Sequence, residues 1–334
     1  ADPLRFTLLT GSTPGNDMNL SESRIEYSRN FGNKLWQMSR FVWSNLDGYI
    51  PRPEPDLSGL SLPDRWILSR LSGLVGNVQR LFDTYQYSEA GRQILDFLWS
   101  EFADWYVEVS KNGLYSGDQA ARERTLDILT YVLNAALRLL HPYMPFITEE
   151  IWSYLPTGGR PLILADWPVA NERHADPAAE AEFGDLMELI RGIRNVRAEY
   201  KVEPRRKLGA SVDTGEHASF VDEHGDLFAR LCNVHPMQAL EPVAPAPERV
   251  ATIAAGDITV YLRLADLVDL ETELQRLQRE LDDLEQQIAR TEALLQNDNF
   301  VSRAKPEVVQ RERDKLGTLT ASRQTVKERI ASLG

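Results

Sequence analysis

The chain has 334 residues, 43% of them apolar and 26% charged, enough for two or three compact units with real cores. A formal net charge of −13 excludes the chain-wide basic field that wraps nucleic acid nonspecifically, so contact with phosphate has to use local basic patches. The single cysteine, Cys232, excludes a disulfide framework and a cysteine-based zinc site and fits a reducing compartment, while no apolar run is long enough to cross a bilayer and the start Ala1-Asp2-Pro3-Leu4-Arg5 has no signal-peptide pattern.

Residues 1–20 read as a connector. Thr10-Gly11-Ser12-Thr13-Pro14-Gly15-Asn16-Asp17 is a turn or loop by its glycines and proline, and no Gly-Lys-Ser/Thr comes after it to make it a phosphate loop. The opening is abrupt. Leu4, Phe6, Leu8 and Leu9 need a partner surface, which points to a piece of a longer protein.

From about Ser21 to about Asp47 the spacing predicts an uninterrupted helix. Phe31, Leu35, Met38, Val42 and Leu46 make one apolar face, Asn33, Gln37 and Arg40 fall on the opposite face, and Lys34 and Phe41 stand at the border. Such a helix offers amides, cations and a ring to an unstacked single-stranded nucleic acid loop. A plainer reading has Phe41 widening the core stripe and Lys34 and Arg40 as solvated surface.

After a proline-punctuated loop, Pro51-Arg52-Pro53-Glu54-Pro55, a second helix begins near Pro63, with Trp66, Ile67, Leu71, Leu74, Val78 and Leu81 as its apolar positions. A third runs from about Tyr87 to Lys111, with Gly113 placed to stop it. A fourth runs from about Gln119 to Leu140. His141-Pro142-Tyr143-Met144-Pro145 then breaks the pattern and a short helix restarts, with Thr148 near its start as a cap. Long amphipathic helices in succession without a strand predict an antiparallel bundle over residues 21–170.

Residues 171–264 change character. One helix, about Pro177 to Tyr200, precedes the strand-like segments Leu208–Val212, Val250–Ala254 and Ile258–Leu264, with a helix near Ala218–Leu231; this is a small α+β junction domain. On the flank of its first helix run Arg191, Arg194, Arg197 and Lys201, continuing into Arg205-Arg206-Lys207. Two readings stay open for this strip, a solvated face and a phosphate contact.

Residues 265–334 carry a heptad seam. Leu267, Leu270, Leu274, Leu277, Leu281, Leu284, Ile288 and Leu295 take alternating three- and four-residue steps, with Thr291 in the gap. The seam stops at Asn297-Asp298-Asn299-Phe300 and resumes through Val309, Leu316, Leu319, Val326, Ile330 and Leu333, with Glu312 and Arg323 as polar intrusions. Two arms and a short break predict an antiparallel coiled-coil hairpin. Its first arm is acidic, and Arg303, Lys305, Arg311, Arg313 and Lys315 make the tip and start of the second arm basic. Arg303 and Lys305 at the tip have the fewest intramolecular partners in prospect.

No catalytic constellation is present. His141, His174, His217, His224 and His235 have no metal-ligand spacing, and neither a Gly-x-Ser-x-Gly elbow nor a Gly-x-Gly-x-x-Gly turn occurs. His141 reads as a capping or packing histidine, and Glu149-Glu150 as acids at a helix start. By residue chemistry this is a binding piece.

Two motifs, Asn30-Phe31-x-Asn33-Lys34-Leu35-Trp36-x-x-x-Arg40-Phe41 and His141-Pro142-x-Met144-Pro145-Phe146-Ile147-Thr148-Glu149-Glu150-Ile151-Trp152, resemble the anticodon-binding helical domain of class I synthetases for branched aliphatic amino acids. The first is closest to the valyl-tRNA synthetase family. Asn297-Asp298-Asn299-Phe300-Val301-x-Arg303-Ala304-x-Pro306-x-x-Val309 between two heptad arms is similar to the C-terminal coiled coil of its bacterial members, and one cysteine excludes the cysteine-rich zinc module typical of isoleucyl relatives. Leu4-Arg5-Phe6 and Thr13-Pro14-Gly15-x-Asp17-Met18 resemble the segment just after the catalytic domain's last signature loop. The His-Ile-Gly-His and Lys-Met-Ser-Lys-Ser signatures are not in the chain.

The resemblance implies a mainly α protein: a connector from the catalytic domain, an anticodon-binding bundle, an α+β junction and a coiled-coil arm. It implies that Lys34, Arg40 and Phe41 meet the anticodon loop of tRNA(Val), with Asn33 and Gln37 on the same helix. It implies that Arg303, Lys305, Arg311, Arg313 and Lys315 meet the tRNA backbone at the outer corner, where the D and T loops join. ATP and magnesium belong to the parent enzyme's catalytic domain; this piece is expected to use no cofactor or metal and to activate no valine. Its expected partners are tRNA(Val) and that catalytic domain, in a cytoplasmic monomer without membrane contact. The rival reading is a coiled-coil scaffold for a protein partner.

Overall fold

The computed structural model describes the chain apart from residues 13–16, 18–19, 216, 242–246, 248, 268–269, 298–305 and 334, and it divides into two compact units, Ala1–Gly184 and Asp185–Gly334.

The first unit is a helix bundle of α1 (Asp2–Thr10), α2 (Glu22–Leu46), α3 (Leu62–Asp83), α4 (Tyr87–Asp96), α5 (Val107–Tyr115), α6 (Gln119–Leu140) and α7 (Pro145–Ser153), closed by the start of α8 (Pro177–Glu199). The expected apolar stripes are its core: Phe31, Leu35 and Val42 of α2, Trp66, Ile67 and Val78 of α3, and Leu126, Leu133 and Leu140 of α6 are all buried. Each such side chain contributes about 1.5–3 kcal/mol of transfer free energy. Ser61 and Asp64 form a reciprocal capping box that starts α3, and the Asp118 carboxylate accepts from the Ala120 amide to start α6.

Three local expectations change. Half of the stretch read as a connector is α1, whose Phe6 is buried with its ring centroid 5.5 Å from Phe31 and 6.0 Å from Tyr143; the central part of the Thr10–Asp17 loop lies outside the described residues. Thr148 does not cap α7. Its hydroxyl donates back to the Met144 carbonyl at 2.8 Å, and the buried Asp2 carboxylate of α1 accepts from the Ile147 amide at 2.7 Å instead. Gly113 does not stop a helix either: the helical path runs on from Tyr87 through a π-helical stretch, Phe97–Tyr106, to Tyr115. A Cβ at Gly113 would overlap the Thr125 hydroxyl and lie 3.3 Å from Thr125 Cβ, so this glycine lets α5 approach α6 closely.

Two acids, the buried Asp127 and the half-buried Asp176, hold loops to the bundle. Asp127 accepts from the Tyr49 hydroxyl and the Arg52 amide, both at 2.9 Å, which anchors the proline-rich loop after α2 and, with burial, pushes the Tyr49 phenol up to about 12. Asp176 accepts from Arg65 at 2.9 Å just before α8, and Phe183 then stacks obliquely on Trp66 at 4.4 Å.

The second unit contains the rest of α8, β1 (Leu208–Asp213), α9 (Phe220–Cys232), β2 (Val234–Ala239), β3 (Val250–Ala255), β4 (Ile258–Arg263), α10 (Leu264–Leu267), α11 (Leu270–Gln296) and α12 (Pro306–Leu333). The sheet order is β2-β1-β4-β3, with β1 parallel to β2 across α9 and antiparallel to β4. Strand β2 is not among the strands expected from the sequence because it contains Pro236; at a sheet edge, with one neighbour, proline is tolerated. The β3–β4 hairpin turns at Gly256-Asp257, with Gly256 at φ +52°. Leu186, Leu189, Ile190 and Ile193 of α8 are buried with Val212, Phe228, Val260 and Leu262.

Helices α11 and α12 pack against each other as the heptads predict. Leu277, Leu281, Ile288, Thr291, Val309 and Val326 are buried, and the polar intrusions Glu312 and Arg323 are half-buried on the same seam. The break between the arms lies outside the described residues.

Candidate nucleic-acid interface

Helix α2 buries its apolar stripe in the bundle, and at 3.6 residues per turn this turns the other half of its circumference outward. Around that arc the side chains come in the order Trp43 and Trp36, Arg40, Asn33, Gln37, Phe41 and Lys34. The five expected contacts therefore share one continuous face, but the structure places them in three different environments.

Asn33, Gln37 and Arg40 are exposed, and none makes a hydrogen bond or ion pair with another described residue. Asn33 also stands on the rim of a cavity of about 500 Å³ between α1 and α7, lined by Asp2, Gly32, Met144, Phe146 and Ile147. Arg40 is an unengaged guanidinium, with donors arranged for phosphate or a base edge.

Lys34 is engaged. Its ammonium pairs with the Asp104 carboxylate and lies 5.0 Å from the Trp99 ring centroid. Both partners come from the π-helical stretch, and Trp99 is itself stacked on Tyr27 at 5.6 Å and Phe31 at 6.1 Å. The Lys34 and Asp104 side chains remain 28% and 49% exposed, so a phosphate can compete for the lysine. Phe41 is half-buried, and the Lys111 ammonium stands 5.7 Å from its ring centroid, neutralised by Glu108 at 2.7 Å. The ring is therefore partly covered, with a cation beside it.

An aromatic cluster beside Arg40 was not assigned from the sequence. Trp36 and Trp43, seven apart on α2, meet Tyr154 at the end of α7: Trp43 stacks on Tyr154 at 4.6 Å and 15°, and Trp36 meets both edge-on at 5.3 and 5.9 Å. The i, i+7 spacing of the tryptophans was legible; their meeting with Tyr154 was not.

His141 packs at the α6–α7 junction, as its sequence context implied. Its Nδ1 and the Thr148 hydroxyl share a hydrogen bond at 2.8 Å, and the same hydroxyl lies 2.8 Å from the Met144 carbonyl. Burial lowers its pKa against the opposing pull of Glu149 and Asp2. The Glu149 carboxylate stands 4.0 Å from the other ring nitrogen, Nε2.

In the second unit the basic strip divides. Arg197 is buried and donates to the carbonyls of Glu203 and Pro204 at 2.9 and 3.3 Å, closing the turn after α8, and burial lowers its pKa. Arg194 donates to the Leu231 carbonyl at 3.1 Å. Lys201, Arg205, Arg206 and Lys207 are exposed. On the hairpin, Arg311 and Arg313 are exposed without a described partner, Lys315 lies 3.9 Å from Glu312, and Lys327 bridges to Glu285 of the other arm at 3.0 Å. Arg303 and Lys305 lie outside the described residues. Among the described residues, no helix is long and apolar enough to cross a membrane.

Two family models match the chain: the anticodon-binding domain of tRNA ligases over residues 64–212, and the valyl tRNA synthetase tRNA-binding arm over residues 269–334. Arg311, Arg313 and Lys315 fall within the second match, whereas α2 precedes the first. Along its whole length the chain is 40% identical to the valine–tRNA ligases of Carboxydothermus hydrogenoformans and Enterococcus faecalis and 38% identical to that of Bacillus subtilis. It spans 38% of the length of each of these relatives. No aminoacylation domain is among the matched regions. The chain corresponds to the C-terminal anticodon-binding and tRNA-binding-arm region of the bacterial valine–tRNA ligases.

Proposed function

We propose that this chain binds tRNA(Val), with the outward face of α2 on the anticodon loop and the α11–α12 hairpin supporting the outer corner of the tRNA. The observation that carries the reading is the run of unengaged polar groups, Asn33, Gln37 and Arg40, flanked by Lys34 and Phe41 on one exposed helix face of an acidic protein. Arg40 supplies a cation for phosphate or a base edge, and the amides of Asn33 and Gln37 donate and accept toward base edges. Phe41 shapes the loop from the side, and Lys34 exchanges Asp104 for phosphate when the loop is seated. On the hairpin, Arg311, Arg313 and Lys315 meet backbone phosphates, and Arg303 and Lys305 extend that set at the tip.

In this reading the chain acts within a cytoplasmic, monomeric valine–tRNA ligase. It selects tRNA(Val) and holds it while a catalytic domain using ATP and magnesium joins valine to the acceptor end. The separate assignment of residues 21–170 to the anticodon, 171–264 to the junction and 265–334 to the arm belongs to the same proposal.

The test is binding of the full chain to tRNA(Val) and to the same tRNA with an altered anticodon, across a salt series. Preference for the valine anticodon, lost in Phe41→Ala and weakened in Arg40→Ala, is the expected result. Equal weak binding to both with a steep salt slope would reduce the reading to phosphate contact, and no binding at low salt would favour a protein-docking scaffold.

A further inference from the structure

We propose that Tyr154, backed by Trp43 and braced by Trp36, is a stacking seat for an unpaired base of the RNA that lies along α2, a contact additional to the expected α2 residues and resting on the tRNA-binding reading above.

The geometry of the three rings leaves the outer face of Tyr154 without an aromatic neighbour. Trp43 and Tyr154 are nearly parallel, 15° apart with centroids at 4.6 Å, so each covers one face of the other. Trp36 is almost equidistant from the two, at 5.3 and 5.9 Å, and perpendicular to both at 76° and 88°. A ring so placed stands beside the pair; capping the free end of the stack would take it far from one member. The outer face of Tyr154 therefore has no aromatic cover, and Tyr154 is 48% exposed. The ring is also oriented, because its hydroxyl donates to Glu150 Oε1 at 3.2 Å on the same helix.

The groups next to the seat identify its occupant. Arg40 lies four residues after Trp36 and three before Trp43, the spacings that share a helix face, and it is exposed with no partner among the described residues. A flat aromatic face beside an unengaged guanidinium is the pairing that takes a base and its phosphate together. Glu150 is the one carboxylate bonded within the cluster, and it is occupied by the Tyr154 hydroxyl at the ring's edge, away from the open face. The surface is continuous with the Arg40–Asn33–Gln37 arc, so a loop reaching that arc has a neighbouring base within reach of Tyr154.

The experiment measures tRNA(Val) binding by the full chain and by Tyr154→Ala, Tyr154→Phe and Arg40→Ala at several salt concentrations. Tyr154→Ala is expected to weaken binding roughly ten-fold without changing the salt slope, since a stacked base carries no counterion release. Tyr154→Phe keeps the ring but loses the orienting bond to Glu150 and is expected to retain most of the binding that Tyr154→Ala loses, while Arg40→Ala flattens the slope. Tyr154→Ala binding like the parent while Arg40→Ala weakens would overturn the seat and leave the tRNA reading standing. Failure of the parent chain to bind tRNA would overturn both. Circular dichroism of the exposed-site variants confirms that fold is held constant.

Discussion

The Lys34 ammonium rests on the carboxylate of Asp104, a residue 70 positions away in the chain, and over the face of Trp99. The π-helical stretch aims both groups at α2, so a cation that the sequence presents as free is held in place before any ligand arrives.

Removing that restraint has a directional consequence. Asp104→Asn is expected to leave the fold within about 1 kcal/mol of the parent, because a pair this exposed adds little stability. It should also strengthen tRNA binding a few-fold at low salt without changing the slope of log K against log salt, because Lys34 meets phosphate in both complexes, whereas Lys34→Ala should flatten that slope by about 0.7–0.9. A filter-binding series on the parent and both variants decides this; a steeper slope in Asp104→Asn than in the parent would mean that Lys34 stays with Asp104 in the parent's complex.

Gly113 sets the approach of α5 to α6. Gly113→Ala places a methyl group on the Thr125 hydroxyl, and the neighbouring Thr125 Cβ at 3.3 Å leaves little room to yield. Overpacking of this kind costs about 1–3 kcal/mol, against about 1 kcal/mol gained from helix propensity. A lower urea midpoint with an unchanged m-value is the expected outcome. Thr125→Ala, which removes the hydroxyl that the new methyl group meets, should recover part of the loss.

Stability should fall on mild acidification. His141 and His174 both have pKa values held below the ordinary 6.5 by burial, opposed by Glu149 and Asp2 for the first and by Glu54 for the second. The unfolded chain therefore takes up these protons first. Their contribution is fully present above about pH 6.5 and is lost as pH falls through that value toward the folded pKa values. Thermal unfolding at pH 7.5 and 5.5 should show the lower Tm at pH 5.5, with a smaller difference in His141→Gln. A flat profile in the parent would contradict the burial argument.

The hairpin seam has a polar gap that can be filled. Thr291 is 5% exposed, and among the described residues its hydroxyl bonds to the Gln287 carbonyl of its own helix at 2.9 Å. Thr291→Leu should add about 1 kcal/mol of apolar burial and raise hydrogen-exchange protection of the α11 amides about five-fold. Unchanged protection would place Thr291 off the seam.

Helical period, proline and glycine punctuation and the heptad grid are properties of neighbouring residues. The sequence by itself therefore determined the bundle helices after α1, three strands of the sheet, the two-armed seam and the outward face of α2 with Asn33, Gln37 and Arg40. It missed β2 because a proline inside a strand is acceptable only at a sheet edge, and edges are defined by the other strands. It took Gly113 for a helix stop because a glycine at a helix–helix contact and one at a helix end look alike until the partner, Thr125, is in place. Asp2 as the cap of α7, Asp104 as the partner of Lys34, Arg197 as a buried clamp and Tyr154 as the third ring beside Trp36 and Trp43 all join groups distant in the chain or across turns. Pairings of that kind depend on distances that only packing sets, so tertiary structure alone decided which cations are engaged and which are left to meet a ligand.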